Sequence, residues 1–97
     1  MRILYAVGFS DWWGAYPPDV LDREDSGTVG GGETCALRTA AGLAARGHEV
    51  VFCSVAQAGE WRGVCFYPWQ RFVSVYLDKG PWDALVAFSD AGALRFA

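Results

Sequence analysis

The residues most able to do chemistry form a short glycine run ahead of a helical pattern. Gly30, Gly31 and Gly32 are followed by Glu33 and then by alanine and leucine at helical spacing. The free N–H groups and the positive end of a helix attract anions, and glycine lets a phosphate approach the backbone closely. A flexible hinge at the end of a loop would contain the same run. From the residues alone, an anion site and a hinge are equally consistent with the sequence.

Two well-known phosphate-binding motifs come close to this run without fitting it. Residues 27–34 have the spacing of a P-loop, but Glu33 stands where that motif needs lysine, and a carboxylate would repel phosphate. A dinucleotide fingerprint needs its glycines directly after the first strand, whereas residues 8–29 intervene here and Cys35 takes the place of the third glycine. The sequence therefore argues against both a P-loop nucleotidase and the usual mode of NAD binding.

The apolar pattern predicts buried strands that alternate with helices. Short apolar runs are typical of strands in parallel sheets, and apolar spacings of three and four are typical of helices. The predicted strands cover residues 3–7, 49–55, 64–67 and 83–88. The predicted helices cover residues 30–46, which end at Gly47, and residues 68–78. The second helix has one apolar face, formed by Trp69, Phe72, Val73, Tyr76 and Leu77. Residues 56–63 are predicted to form a turn.

This order of elements predicts an α/β, Rossmann-like domain with a parallel sheet and helices on both faces. Right-handed crossovers give about four strands in the order 3-2-1-4. Ligands bind such sheets where the strand order reverses, and residues 8–32 together with Ser89 and Asp90 would border that crevice. Ser89 or Asp90 is expected to cap a final helix. Because that helix has only begun at Ala97, we expect a truncated domain whose fourth strand has a bare edge.

The segment between the first strand and the glycine run shows no helical or strand period. Loops as long as residues 9–29 are often functional, although the acidic residues within 19–25 are typical of a solvated loop. His48, the single histidine, falls at the amino end of the second strand, on the side opposite the crevice. We therefore expect His48 to have a structural role.

Composition argues against several classes of function. The net charge is -3 and lysine and arginine form no run, so we expect neither a nucleic-acid partner nor an anionic membrane. No segment is long and apolar enough to predict a transmembrane span or a signal peptide. Cys35, Cys53 and Cys65 match no zinc spacing and lie in apolar segments. They predict buried free thiols, a cytoplasmic location and no bound metal.

The chain resembles the start of the family 4 glycosyltransferases of GT-B fold. The shared features are Gly30-Gly31-Gly32-Glu33, an alanine-rich helix, and Arg46-Gly47-His48-Glu49-Val50 leading into the second strand. Gly63-Val64 and Asp83-Ala84-Leu85-Val86 also agree, so the resemblance extends over essentially the whole chain. It implies a retaining transferase that uses a nucleotide-sugar donor and a glycosyl acceptor, with no further cofactor.

The resemblance also implies roles for particular residues. Gly30, Gly31 and Gly32 would face the donor diphosphate, and this first domain would hold the acceptor. The acceptor-binding candidates are Ser10, Asp11, Trp12, Trp13, Glu33, Ser89 and Asp90. Catalysis would depend on positioning and on stabilising the leaving diphosphate, and no catalytic residue is expected in this segment. The family's donor domain would lie past Ala97, so residues 1–97 alone are expected to be inactive.

Two other functions stay open from the sequence. The chain could be a non-catalytic Rossmann-like half-domain that acts as an interaction or nucleotide-binding module. It could also belong to another GT-B-like enzyme, such as a sugar-nucleotide epimerase, because fold alone does not determine chemistry. The bare edge of the fourth predicted strand would favour self-association of the chain.

Overall fold

The computed structural model describes residues 1–7, 18–22, 31–54 and 57–88. Within these ranges the chain forms a mixed α/β fold around one sheet. The strands are β1 (Arg2–Val7), β2 (Glu49–Ser54), β3 (Gly59–Trp61), β4 (Val64–Pro68) and β5 (Ala84–Phe88). The helices are α1 (Gly31–Ala45) and α2 (Phe72–Lys79), and 3-10 turns cover Val20–Asp22 and Trp69–Arg71. Neither helix in this part of the chain has the length and apolar character needed to cross a membrane.

The sheet has the strand order β3-β4-β2-β1-β5. The central strand β1 is parallel to β2 on one side and to β5 on the other, and β2 is parallel to β4. Only β3 is antiparallel, and it pairs with β4 at one edge. The central strands are continuous apolar runs because helices cover both faces of the sheet. The broadly Rossmann-like α/β class predicted from the sequence is therefore confirmed.

The predicted strand count was wrong, because the sheet has five strands and the order differs by the addition of β3. Residues 56–63 were predicted to form only a turn, yet Gly59–Trp61 pairs with β4 across a two-residue loop. The loop residues Arg62 and Gly63 both have positive φ, at 49° and 83°. Two such residues match the twist of a tight hairpin, but arginine rarely adopts that conformation and so gives no sequence signal.

One face of the sheet is covered by α1. Tyr5, Phe52 and Phe66 form a row across β1, β2 and β4, with ring centroids 5.4 Å and 5.1 Å apart. All three side chains are buried, and Ala36 and Ala40 of α1 are fully buried in the same cluster. Small side chains on the helix allow it to lie close to the large rings of the sheet.

The other face is covered by α2, but not by the predicted set of residues. Val75 is buried against the sheet, and Phe72 and Tyr76 pack beside it. The remaining members of the predicted apolar face are exposed to solvent, namely Trp69, Val73 and Leu77. The first turn is a 3-10 turn with about three residues per turn, so the helical phase shifts relative to a continuous α-helix.

The end of α1 explains part of the conspicuous Arg46-Gly47-His48 sequence. The N–H of Gly47 donates to the carbonyl of Ala44 at 3.0 Å, and the N–H of His48 donates to the carbonyl of Leu43 at 3.2 Å. Gly47 has φ 93°, so these bonds form a Schellman motif with glycine in the left-handed position. The glycine is therefore needed to stop the helix and turn the chain into β2.

Candidate functional site

The strand order reverses at the carboxyl ends of β1 and β5. Val7 and Phe88, the last residues of these strands, lie opposite each other in register. The chain continues from β1 toward α1 and β2 on one side, while β5 lies on the other side of β1. Ligands of Rossmann-like sheets bind at this reversal, so the predicted crevice at the ends of β1 and β5 is the candidate site.

The first turn of α1 borders the same edge of the sheet. Gly31 is the first residue of the helix, and Gly32 and Glu33 follow in its first turn. Because α1 connects the end of β1 to the start of β2, its amino end lies at the carboxyl edge of the strands. The first N–H groups of a helix have no partners inside it, so this turn offers hydrogen-bond donors to an anion.

Residues 18–22, here called the strap, pack along the β3–β4 hairpin. Val20 is buried in the core beneath α1, and Leu21 packs against the same cluster. Gly59 of β3 lies directly against Pro18, since a methyl carbon built on Gly59 would be 3.0 Å from the proline ring. The strap therefore fastens the middle of the loop between β1 and α1 to the far edge of the sheet.

A three-residue cluster holds the carboxyl end of the strap. The indole N–H of Trp61 donates to one carboxylate oxygen of Asp22 at 2.6 Å, and Arg62 donates to the other oxygen at 2.9 Å. These hydrogen bonds, first from Arg62 and then from Trp61, lower the pKa of the Asp22 carboxyl. The Arg62 guanidinium also lies 5.2 Å from the centre of the Trp61 ring. Of the acidic residues within 19–25, Asp22 is thus held by a specific ion pair, although its side chain stays exposed.

A cavity of about 290 Å³ lies between α1 and the hairpin. It is lined by Leu21, Asp22, Arg38, Ala41, Trp61 and Arg62. Arg38 is two turns along α1 from Gly31, or about 10 Å at the rise of an α-helix. The cavity is therefore separate from the carboxyl edge of the sheet, and the ion pair of Asp22 and Arg62 in its wall holds the strap.

His48 lies at the amino edge of the sheet, immediately before β2. The terminal ammonium of Met1 is 3.0 Å from its Nδ1 atom. Nearby, Arg2 pairs with the carboxylate of Glu49 and donates to the carbonyl of Pro81 at 3.0 Å. These contacts tie the start of β1 to the start of β2 and to the segment before β5. The surroundings of His48 are those of a structural tie, at the edge opposite the crevice.

The three thiols are free but differ in exposure. Burial raises the pKa of Cys53 to about 12, so this thiol is protonated and inert at neutral pH. Cys65 is half-buried. The prediction that all three are buried was wrong for Cys35, which is exposed. The buried side of α1 is formed by Ala36, Leu37 and Ala40. Cys35 comes just before this set, and its side chain points away from the sheet.

Most of the predicted ligand-contacting residues lie outside the described part of the chain. This holds for Ser10, Asp11, Trp12, Trp13, Gly30, Ser89 and Asp90. Gly31, Gly32 and Glu33 lie at the helix start that borders the crevice. Sequence reasoning missed the cluster of Asp22, Trp61 and Arg62, because Asp22 is about 40 residues away from the other two along the chain. In the described ranges, no three His, Cys, Asp or Glu side chains gather as metal ligands would.

No protein-family model matches the chain, and no curated protein or solved structure matches it significantly. The resemblance to glycosyltransferases therefore rests on the sequence motifs alone, of which the most specific lie at the two ends of α1. One of these motifs, Arg46-Gly47-His48, has a structural explanation in the end of the helix. Gly30 of the glycine run lies outside the described residues, and the role of the run in binding stays a prediction.

Proposed function

We propose that this chain is the acceptor-side part of a retaining glycosyltransferase that takes its sugar from a nucleotide-sugar donor. The position of Gly31 supports the proposal most directly. Gly31 is the first residue of α1, which begins at the sheet edge where β1 and β5 end side by side. Rossmann-like sheets bind ligands at this edge, and the resemblance requires the donor diphosphate beside this glycine run.

The start of α1 would hold the diphosphate through its backbone. Gly31 and Gly32 have no side chains that would keep phosphate oxygens away from the N–H groups of the first turn. Negative charge builds up on the diphosphate as its bond to the sugar breaks. Donors already aimed at that charge stabilise the transition state without a nucleophile, and the positive end of the helix adds to the effect.

The loop that follows β1 would form the acceptor side of the crevice. It contains the predicted acceptor contacts Ser10, Asp11, Trp12 and Trp13, and aromatic faces suit the stacking of sugar rings. The strap fixes the chain beyond this loop through the contacts of Asp22. A loop anchored by β1 before it and by the strap after it has less freedom to lose when the acceptor binds. The free thiols support our further proposal that the protein works in the reducing cytoplasm.

A non-catalytic interaction module is the second candidate function. It is favoured by the outer edge of β5, which pairs with no other described strand. The two functions differ in what the start of α1 should do. If the chain belongs to a transferase, the backbone at Gly31 should contact the nucleotide-sugar. An interaction module needs no such contact.

Titration of the 97-residue chain with nucleotide-sugars, followed by amide NMR shifts, tests the proposal. One exposed helix start contributes about 0.3–1 kcal/mol toward holding an anion, whereas a millimolar Kd needs about 4 kcal/mol. We expect small shifts in the first turn of α1 that do not saturate at about 1 mM, and no sugar transfer.

A matched pair of variants makes this titration specific. Gly31→Val should remove the shifts. Gly42→Val places the same side chain on an exposed part of α1, where nothing lies within 4 Å of the added carbon, and should leave them unchanged. Shifts that persist in Gly31→Val, or that appear only away from α1, would contradict a donor site at this helix.

A further inference from the structure

The cavity between α1 and the β3–β4 hairpin has the dimensions of a small binding pocket. Its volume of about 290 Å³ is at the lower end of the range for ligand pockets, which starts at about 300 Å³. Three parts of the chain surround it, and each contributes two residues to the wall. They are Leu21 and Asp22 of the strap, Arg38 and Ala41 of α1, and Trp61 and Arg62 of the hairpin.

The polar side chains of this wall are paired with one another, with the exception of Arg38. The carboxylate of Asp22 accepts from the indole N–H of Trp61 at 2.6 Å and from Arg62 at 2.9 Å. Arg38 is exposed, and it forms an ion pair with none of the carboxylates that the structure describes. Two arginines and one aspartate therefore leave the wall with one positive charge that no described group neutralises. An anion with a single negative charge would complement the cavity.

The ion pair beside Arg38 keeps hydrogen-bonding capacity for a ligand. Each carboxylate oxygen of Asp22 has two lone pairs, and the guanidinium of Arg62 has five N–H donors, so the bonds between them leave further positions open. The side chains of Asp22 and Arg62 are 45% and 60% exposed, so a molecule in solvent can reach both. A ligand hydroxyl can donate to the carboxylate and accept from the guanidinium, and it adds no charge.

We propose that this cavity binds a small hydroxy acid, a molecule with one carboxylate and several hydroxyl groups. The planar guanidinium of Arg38 would hold the carboxylate through two parallel N–H bonds, because the two groups match in geometry. The hydroxyl groups would bond to Asp22 and Arg62. Leu21 and Ala41 belong to the apolar part of the wall and would contact the carbon chain. A bound ligand would thus join the strap, α1 and the hairpin through one set of contacts.

Other small anions fit this wall less well. A phosphate dianion would bring a second negative charge next to Asp22, and among the described side chains Arg38 alone is left to offset it. A simple fatty acid would desolvate Asp22 and Arg62 without offering them a hydrogen bond. The cavity lies about two helical turns from the start of α1, so the inference does not depend on the proposed transferase activity.

Titration of the full chain, followed by NMR, tests the proposal with three ligands that share a six-carbon skeleton. Gluconate has the carboxylate and the hydroxyl groups, sorbitol has only hydroxyl groups, and hexanoate has only the carboxylate. A ligand of about a dozen non-hydrogen atoms with ordinary ligand efficiency has a Kd of about 1 mM. We expect gluconate to saturate on this scale and to shift the indole N–H of Trp61 and the amides of Arg38 and Ala41. Sorbitol and hexanoate should each bind about tenfold more weakly or worse.

A matched pair of variants tests the role of Arg38. Arg38→Gln removes the unpaired charge and should raise the Kd for gluconate by about tenfold or more, the effect of losing a charged hydrogen-bonding partner. Because Arg38 is exposed and pairs with no described carboxylate, this variant should fold normally. Arg46→Gln removes the same charge just beyond the end of α1 and outside the cavity wall, and it should leave the Kd unchanged.

Any of three results would overturn the proposal. The first is the absence of saturable shifts at the cavity up to about 10 mM gluconate, about ten times the expected Kd. The second is binding of sorbitol or hexanoate that is as tight as the binding of gluconate. The third is an equal Kd for gluconate in Arg38→Gln and Arg46→Gln. The proposed donor site is tested with nucleotide-sugars and Gly31→Val, so the failure of one proposal is distinguishable from the failure of the other.

Discussion

Two glycines should respond with opposite sign to the same substitution by alanine. Gly63 closes the β3–β4 hairpin with φ 83°, in the left-handed region that costs a residue with a side chain about 1–2 kcal/mol. The added carbon would lie 3.4 Å from Cβ of Ala44, an ordinary contact that adds no clash. Alanine also gives the unfolded chain fewer conformations than glycine does. Folding therefore costs less entropy in the alanine variant, which offsets about 0.4–1 kcal/mol of the strain. Gly63→Ala should therefore lower the free energy of unfolding by about 1 kcal/mol.

The control is Gly42→Ala on the exposed side of α1. Gly42 has nothing within 4 Å of the added carbon, and alanine is favoured over glycine inside a helix by about 0.5–1 kcal/mol. Thermal unfolding followed by circular dichroism measures both effects, at about 4–8 °C per kcal/mol for a domain of this size. Gly63→Ala should lower the Tm and Gly42→Ala should raise it. Equal shifts of the same sign would refute the assignment of a left-handed hairpin turn to residue 63.

Three further predictions concern single side chains. Because hydrogen bonds lower the pKa of Asp22 in the folded chain, its ionised form stabilises the fold above about pH 4, and this contribution disappears as the pH falls through the lowered pKa. The stability difference between the natural chain and Asp22→Asn in urea should therefore shrink in acid, and a difference independent of pH would contradict the ion pair with Arg62. A thiol-reactive dye should label exposed Cys35 quickly and buried Cys53 only on unfolding; early labelling of Cys53 would show that the core is misplaced. His48→Gln should keep the turnover of any active longer protein within a few-fold, whereas a loss of about 10³ would indicate acid–base catalysis at this residue.

The parallel part of the sheet could be predicted because its signals are local. The strands around Tyr5 and Phe52 are short apolar runs, and each is separated from the next by a helix or a turn. Gly47 marked the end of α1 correctly because a helix stop depends on the conformation of one residue. These elements follow from patterns within a few residues of each other, which a single sequence contains in full.

The missed features depend on rare local backbone conformations or on contacts between distant parts of the chain. β3 has no apolar run, and its hairpin depends on Arg62 adopting a conformation that arginine rarely adopts. The strap depends on the carboxylate of Asp22 meeting an indole on another element, and no spacing rule connects them. Val73 and Leu77 are exposed because the 3-10 turn before α2 shifts the helical phase of the residues that follow it. The strap thus depends on a tertiary contact, whereas β3 and α2 depend on local backbone conformations that their residue types do not signal.

The central claim is that the first turn of α1 binds the diphosphate of a sugar donor. It is tested most directly by donor kinetics in a longer protein that joins this chain to a donor-binding domain, with Gly31→Val compared against Gly42→Val. The account predicts that Gly31→Val lowers kcat/KM for the nucleotide-sugar by about 10²-fold, the scale for losing one aligned donor to developing charge. Gly42→Val should match the unaltered protein in kcat and KM. An unchanged donor KM and kcat in a folded Gly31→Val protein would contradict the claim.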